Sequence, residues 1–291
     1  MVWDDFRFRS CDFHFTGTAI SSHKNIQFAN ENFVDLLEYG QHLGFYQNVL
    51  SNATMITDEQ IERIKNLNIG FQTSFNGIWE KNKGEWLLNK AIDNTRKLLQ
   101  SGIKTIVTII IKEYDEDKIK SIFDMCLENN IRNIRLGYEL ALGLNKEMDK
   151  IEYVKNGYRF NKNFEVIKEQ YKGKLNISWQ SEAKIRENDL FSKRMLLCEA
   201  GTSQIYIDNN GDAYPCPLFK SFNEFYGGNI LCDNFRDVWY SENINKIRAF
   251  GLDETKCNDC DLICGSWCRG LMFSYTGDIK AHPYFCTKNK I

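Results

Sequence analysis

The sequence predicts an α/β fold, with parallel strands covered by helices in an open curved sheet or a partial barrel, followed by a small cysteine-rich domain. Three observations carry that prediction. Strand-like apolar segments recur about every thirty residues, the length of a strand–helix–strand unit. Residues 105–111 are nearly all β-branched and apolar, as a strand buried on both faces requires. Eight of the ten cysteines lie at or beyond Cys198.

Taken in order, residues 13–16 read as the first strand, and a helix at 31–43 follows, with Phe33, Leu36, Leu37 and Leu43 on one side. Residues 46–51 form the second strand. Thr57-Asp-Glu-Gln60 is a capping box that opens a helix carrying Ile61, Ile64 and Leu67. The third strand spans 69–75. A long helix at 86–101 places Leu87, Leu88, Ala91, Ile92, Leu98 and Leu99 at helical spacing, and Gly102 stops it.

After the strand at 105–111 come a helix at 119–127 and a fifth strand at 134–140. Cys126 falls on the apolar face of that helix with Ile119, Ile122, Phe123 and Leu127 and reads as packing, as does Cys11. A helix at 153–172 leads to a strand at 177–180. The division expected is therefore 1–180 for the (β/α) part and 181–291 for the cysteine-rich part. Ligands of such folds bind at the carboxyl ends of the strands.

With 37 basic and 39 acidic side chains the net charge is −2, which gives no general attraction to nucleic acid. The longest apolar run, near 106–111, is far too short to cross a bilayer. The opening residues Met-Val-Trp-Asp-Asp are acidic and lack the apolar run of a signal peptide. A cytoplasmic protein follows as the expectation, and a reducing compartment favours thiolate-bound metal over disulfides. His14, His23, His42 and His282 show no metal spacing and read as structural or surface residues.

Cys257, Cys260, Cys264 and Cys268 fall within twelve residues, with Cys198, Cys216, Cys232 and Cys286 on either side. Thiolates are soft ligands, and eight supply two four-cysteine sites. By count alone these suit zinc or iron–sulfur clusters equally. Residues 203–208 read as a strand and Asp208-Asn-Asn-Gly211 as a hairpin turn, an arrangement that presents Cys216 back toward Cys198. Trp267, between two of the thiols, reads either as a shield against solvent or as core filling.

Cys198, Gly211-x4-Cys216, Gly227-Gly-Asn-Ile230, the run from Phe235 to Trp239, Cys257-x2-Cys260, Cys264-x3-Cys268-Arg269 and Cys286 together resemble the SPASM domain, the C-terminal extension of many radical S-adenosylmethionine peptide maturases. The resemblance covers about the last 95 residues. It implies one or two auxiliary 4Fe–4S clusters, with Cys198, Cys216 and Cys268 in the first and Cys257, Cys260, Cys264 and Cys286 in the second. Cys232 has no fixed place in the pattern. It completes the first cluster, or that iron stays open to a peptide ligand. Three residues separate Cys260 from Cys264, where the family usually has five, so zinc remains the alternative metal there.

The first half resembles a radical S-adenosylmethionine core, a six-stranded partial (β/α) barrel, from its second strand onward. Gly17 sits where that family has a Gly-Gly-Glu-Pro turn. Leu50-Ser-Asn52-Ala-Thr54 and Thr73-Ser74-Phe-Asn76-Gly77 resemble its Thr-Asn-Gly-Thr and Ser-Leu-Asp-Gly segments, and Arg135 fits the end of its last strand. The resemblance makes Gly17, Asn52, Ser74, Asn76 and Arg135 candidates to line a nucleoside or peptide pocket, while Ser and Asn at strand ends also serve simply as turn formers.

The family's C-x3-C-x2-C is absent, Cys11 being the sole thiol in the first 125 residues, and the acid of the Gly-Gly-Glu-Pro turn is lost. One thiol cannot hold a 4Fe–4S cluster. The expectation is an iron–sulfur protein that binds a precursor peptide or a maturation-system protein without cleaving S-adenosylmethionine on its own. The alternatives are a fragment of an active peptide-modifying enzyme and a structural zinc protein.

Overall fold

The structure, a computed structural model, describes residues 12–16, 28, 32–75, 85–111, 114–138, 163–179, 184–185, 198–251, 254–256, 262–263 and 268–282. The chain divides into two compact units, Met1–Gln180 and Ser181–Ile291.

In the first unit β1 (Asp12–Thr16), α1 (Phe33–His42), β2 (Tyr46–Ser51), α2 (Asp58–Ile64), β3 (Ile69–Ser74), α3 (Glu85–Gln100), β4 (Lys104–Ile111), α4 (Glu116–Glu128), β5 (Asn133–Tyr138), α5 (163–170) and β6 (Asn176–Trp179) follow one another. The six strands lie in sequence order and every neighbouring pair is parallel, with β1 and β6 at the two edges. The result is an incomplete (β/α) barrel, as expected.

β6 continues the sheet one strand past β5, so the strand that carries Arg135 is not the last. The last two residues of the strand expected at 134–140, and the first ten of the helix expected at 153–172, lie outside the described residues.

The Thr57–Gln60 capping box forms as predicted. The Gln60 N–H donates to Thr57 Oγ1 at 3.2 Å and the Thr57 N–H to Gln60 Oε1 at 3.0 Å. Val49 of β2 and Phe71 of β3 pack with Val34, Leu37, Ile61, Ile64 and Leu98 in one core cluster under α1, α2 and α3. Two expectations for α1 fail. Leu36 and Leu43 are 47% and 49% exposed, because the buried stripe runs through Phe33, Val34 and Leu37 and Leu43 lies at the C-cap. Leu67 joins the core from the turn beyond α2, and Leu87 is exposed on α3.

The second unit holds β7 (Lys184–Ile185) paired antiparallel with β11 (Leu262–Ile263), and a three-stranded antiparallel sheet of β8 (Tyr206–Ile207), β9 (Asp212–Tyr214) and β10 (Gly228–Asn229) in the order β10-β9-β8. Helices α6 (Phe235–Trp239), α7 (Glu242–Arg248) and α8 (Arg269–Thr276) complete it. The strand expected at 203–208 is shorter because the chain first makes a turn, in which the Thr202, Ser203 and Gln204 N–H groups all donate to the Glu199 carbonyl.

Candidate metal centre

The hairpin between β8 and β9 is built as the sequence requires. Gly211 takes φ +87°, a conformation only glycine adopts without strain, and its N–H donates to the Asp208 carbonyl at 3.0 Å. Asp208 organises the turn from inside. Its Oδ1 accepts from the Asn210 and Asp212 N–H groups at 2.8 and 3.1 Å, and its Oδ2 pairs with Lys220 at 3.0 Å. Burial alone raises the Asp208 carboxyl, but the Lys220 hydrogen bond and the two N–H groups outweigh it and hold the group below the usual range.

This hairpin carries Cys216 back to Cys198. The Gly201 N–H, three residues after Cys198, donates to both the Gln204 and Pro215 carbonyls at 2.8 and 3.3 Å, which ties the Cys198 segment to the residue preceding Cys216. Arg248 of α7 donates through Nε to the Gly201 carbonyl and holds the same turn from the other side. Cys268 is the N-cap of α8 and Cys216 the N-cap of the 3-10 turn Pro217–Phe219.

Glycine at position 270 lets these two N-termini meet. A Cβ there would lie 2.6 Å from Leu218 Cβ and 3.5 Å from Cys216 Sγ.

Cys198, Cys216 and Cys268 are close enough that their charges act on one another. Burial first, then the Cys268 and Cys198 charges, push Cys216 up to about 12, and burial with the Cys198 charge pushes Cys268 up to about 11. Working the other way, the N–H groups of Leu218 and Phe219 favour the Cys216 thiolate, and those of Gly270 and Leu271 favour that of Cys268, although neither sulfur makes a full capping hydrogen bond. The buried Arg269 cation adds to this at Cys268.

Cys216 and Cys268 are costly to ionise in their buried surroundings and are supplied with donors for the ionised form. That combination fits soft thiolate ligands neutralised by bound iron or zinc.

The wall around them is aromatic. Phe219 lies 4.3 Å from Phe225, ring centre to ring centre, and Phe273 of α8 packs edge-on against Phe222 and Phe225, both at 4.9 Å. All four belong with Cys198 and Cys216 to one apolar cluster. Trp267, expected from the sequence as either a shield or core filling, lies outside the described residues, and these rings were not expected. Their signal was the three-residue spacing of Phe219, Phe222 and Phe225.

Cys232 is exposed in the turn after β10, where its N–H donates to the Asn229 carbonyl. Cys257, Cys260, Cys264 and Cys286 lie outside the described residues. Among the described residues no group of three or more His, Cys, Asp or Glu side chains is gathered to hold a metal ion, and none of the described cysteines is in a disulfide. Cys126 is fully buried on α4 with Ile119, Ile122 and Phe123, and burial pushes its thiol up to about 12. It is a core residue, as predicted.

In the first unit, Ser74, Thr108, Arg135 and Ser178 stand opposite one another in register on β3, β4, β5 and β6. Alternation places this row on the face opposite Val49 and Phe71. Arg135 is exposed, and the Thr108 hydroxyl is buried with no hydrogen-bond partner among the described residues. Two of the predicted residues, Ser74 and Arg135, thus share one polar row.

Asn52 does not join them as a free ligand. Its Oδ1 accepts from the Thr54 N–H at 3.0 Å and the Thr54 hydroxyl at 2.7 Å, an Asx turn that follows β2. Gly17 and Asn76 lie outside the described residues.

Residues 198–261 match the family model of SPASM, an iron–sulfur cluster-binding domain. The second unit carries a SPASM domain. The chain shares its fold with larger proteins of solved structure. Streptococcus suis SuiB bound to precursor peptide SuiA superimposes with a TM-score of 0.69 at 18% identity, over 90% of this chain and 63% of that one. SuiB bound to S-adenosylmethionine gives 0.63 at 20%, over 80% and 57%. Native anSMEcpe with bound AdoMet gives 0.65 at 16%, over 95% of this chain and 80% of that one.

The chain therefore spans 56–63% of the SuiB chains it matches. Fold and SPASM domain together bear out the resemblance to radical S-adenosylmethionine/SPASM peptide maturases.

Proposed function

We propose that this chain is an iron–sulfur protein that binds a peptide and does not cleave S-adenosylmethionine by itself. The observation that supports the reading is the SPASM match over residues 198–261, which contains Cys198 and Cys216, together with Cys268 at the N-cap of α8, whose charge acts on that of Cys216. These three thiolates hold one 4Fe–4S cluster, with Cys232 or a peptide ligand on the remaining iron. Cys257, Cys260, Cys264 and Cys286 hold a second. When bound, such a cluster supplies one-electron redox chemistry and a Lewis-acidic iron.

The chain's own residues bind, shield and orient. Phe219, Phe222, Phe225 and Phe273 keep water from the thiolates, and the N–H groups that flank Cys216 and Cys268 stabilise their charge.

The polar row Ser74–Thr108–Arg135–Ser178 supports a peptide- or nucleoside-binding face. Arg135 offers a cation for a carboxylate, and the Thr108 hydroxyl lacks a partner among the described residues, one that a ligand would provide. SuiB and anSMEcpe have been captured with peptides, and a precursor peptide or a protein of its maturation system is the partner we assign here. A reducing cytoplasm is the matching compartment.

S-adenosylmethionine cleavage is assigned to another chain, because no C-x3-C-x2-C occurs in this one. The span relative to SuiB favours one second reading, in which these residues form part of a longer radical enzyme.

Protein purified without oxygen and incubated with S-adenosylmethionine and dithionite is expected to contain iron and sulfide and to release no 5′-deoxyadenosine, assayed by mass spectrometry. Release of 5′-deoxyadenosine by this chain would overturn the reading, and release only by a longer protein that joins these residues to a C-x3-C-x2-C would establish the second one. Stoichiometric zinc without iron would overturn both.

A further inference from the structure

Arg269 is among the largest fully buried side chains, with 1% of its surface exposed. A guanidinium in such a place is expensive to desolvate, and it persists only where specific groups compensate it. Here Nη1 donates to the Ile279 carbonyl, and the cation lies 5.8 Å from the centre of the Phe250 ring. Its charge acts on the Asp278 carboxylate on one side and on the Cys268 sulfur on the other.

Hydrogen bonds and ion pairs link the segments around it. The Lys256 N–H donates to the Lys280 carbonyl at 3.0 Å, Lys256 pairs with Asp278 at 3.1 Å, and Lys280 pairs with Glu254 at 3.1 Å. These contacts staple residues 254–256 to the segment that receives the Arg269 side chain. A cation that served packing alone would be replaced by an apolar side chain at no loss, since buried ion pairs contribute little net stability.

We infer that Arg269 is a positioning residue whose fixed positive charge, set beside Cys268 and tempered by Asp278, raises the reduction potential of the cluster held by Cys198, Cys216 and Cys268. The inference rests on the cluster assignment above. Each one-electron reduction adds one negative charge to the cluster and its thiolates, so a buried cation nearby favours the reduced state. An anion close to that cation does the opposite. Because the guanidinium is buried, the effect resists screening by salt.

The test is a mediated redox titration of anaerobically purified full-length protein followed by electron paramagnetic resonance, with iron and sulfide measured on each sample. Arg269→Gln is expected to move the first cluster's midpoint to more negative potential and Arg269→Lys to move it much less. Asp278→Asn keeps an acceptor for the Lys280 N–H while removing the anion, and is expected to move the midpoint the other way. Opposite shifts are what a charge effect predicts and what loss of packing does not.

Unchanged midpoints in iron-replete Arg269→Gln and Asp278→Asn protein, or shifts of the same sign in both, would overturn the inference and leave the cluster assignment standing. If Arg269→Gln fails to retain iron, the Asp278→Asn shift decides alone. Wild-type protein without iron would instead sink the cluster assignment on which the inference rests.

Discussion

Asp208 shows how one side chain can fix the geometry of a whole loop. Its carboxylate is 3% exposed yet engaged by two backbone N–H groups and by Lys220, so the folded state holds it more acidic than the unfolded chain does. A group of that kind contributes stability above its unfolded value of about 3.9, and the contribution is lost as pH falls through the lower folded value. Asp208→Asn is therefore expected to cost about 1–3 kcal/mol at neutral pH and to flatten the acid limb of the stability curve, measured by urea unfolding across pH. An unchanged acid limb would show that the turn does not depend on this charge. The glycine and asparagines of the turn were legible in the sequence. The interior ion pair was not, because Lys220 is twelve residues away and no local pattern links the two.

Among elements, the approach of α8 to the 3-10 turn at Pro217–Phe219 matters most. Its condition is the missing side chain at Gly270, where a methyl group would come within 2.6 Å of Leu218 Cβ. Gly270→Ala is expected to push the N-cap Cys268 away from Cys216 and to lose about four irons per chain, while circular dichroism stays unchanged. Full iron in that variant would show that α8 tolerates displacement.

Helices, strands and caps were predicted well wherever a period or a capping box spoke for them, as at Thr57–Gln60, β2 and β4. The failures are tertiary. Leu36 and Leu43 were placed on an apolar face that the fold gives to Val34 instead, and β8 gave up two thirds of its expected length to the turn anchored on the Glu199 carbonyl. Periodicity reports which residues share a face and is silent about which face finds a partner.

For the molecule as a whole, two units of different character share one chain. The first is a six-stranded parallel sheet, and the second is a set of short strands and helices that carries Cys198, Cys216 and Cys268. The cysteine spacing pointed to metal ligation in the second unit and to Cys216 lying back toward Cys198, while the cluster of Phe219, Phe222, Phe225 and Phe273 with those two cysteines required three-dimensional packing to appear. The central claim is that these three sulfurs hold a 4Fe–4S cluster. Iron and acid-labile sulfide counted per chain in anaerobic protein, wild type against the Cys198→Ala/Cys216→Ala/Cys268→Ala triple variant, test it most directly. The account predicts a loss of about four iron and four sulfide in the variant. Equal iron in the two proteins would contradict it.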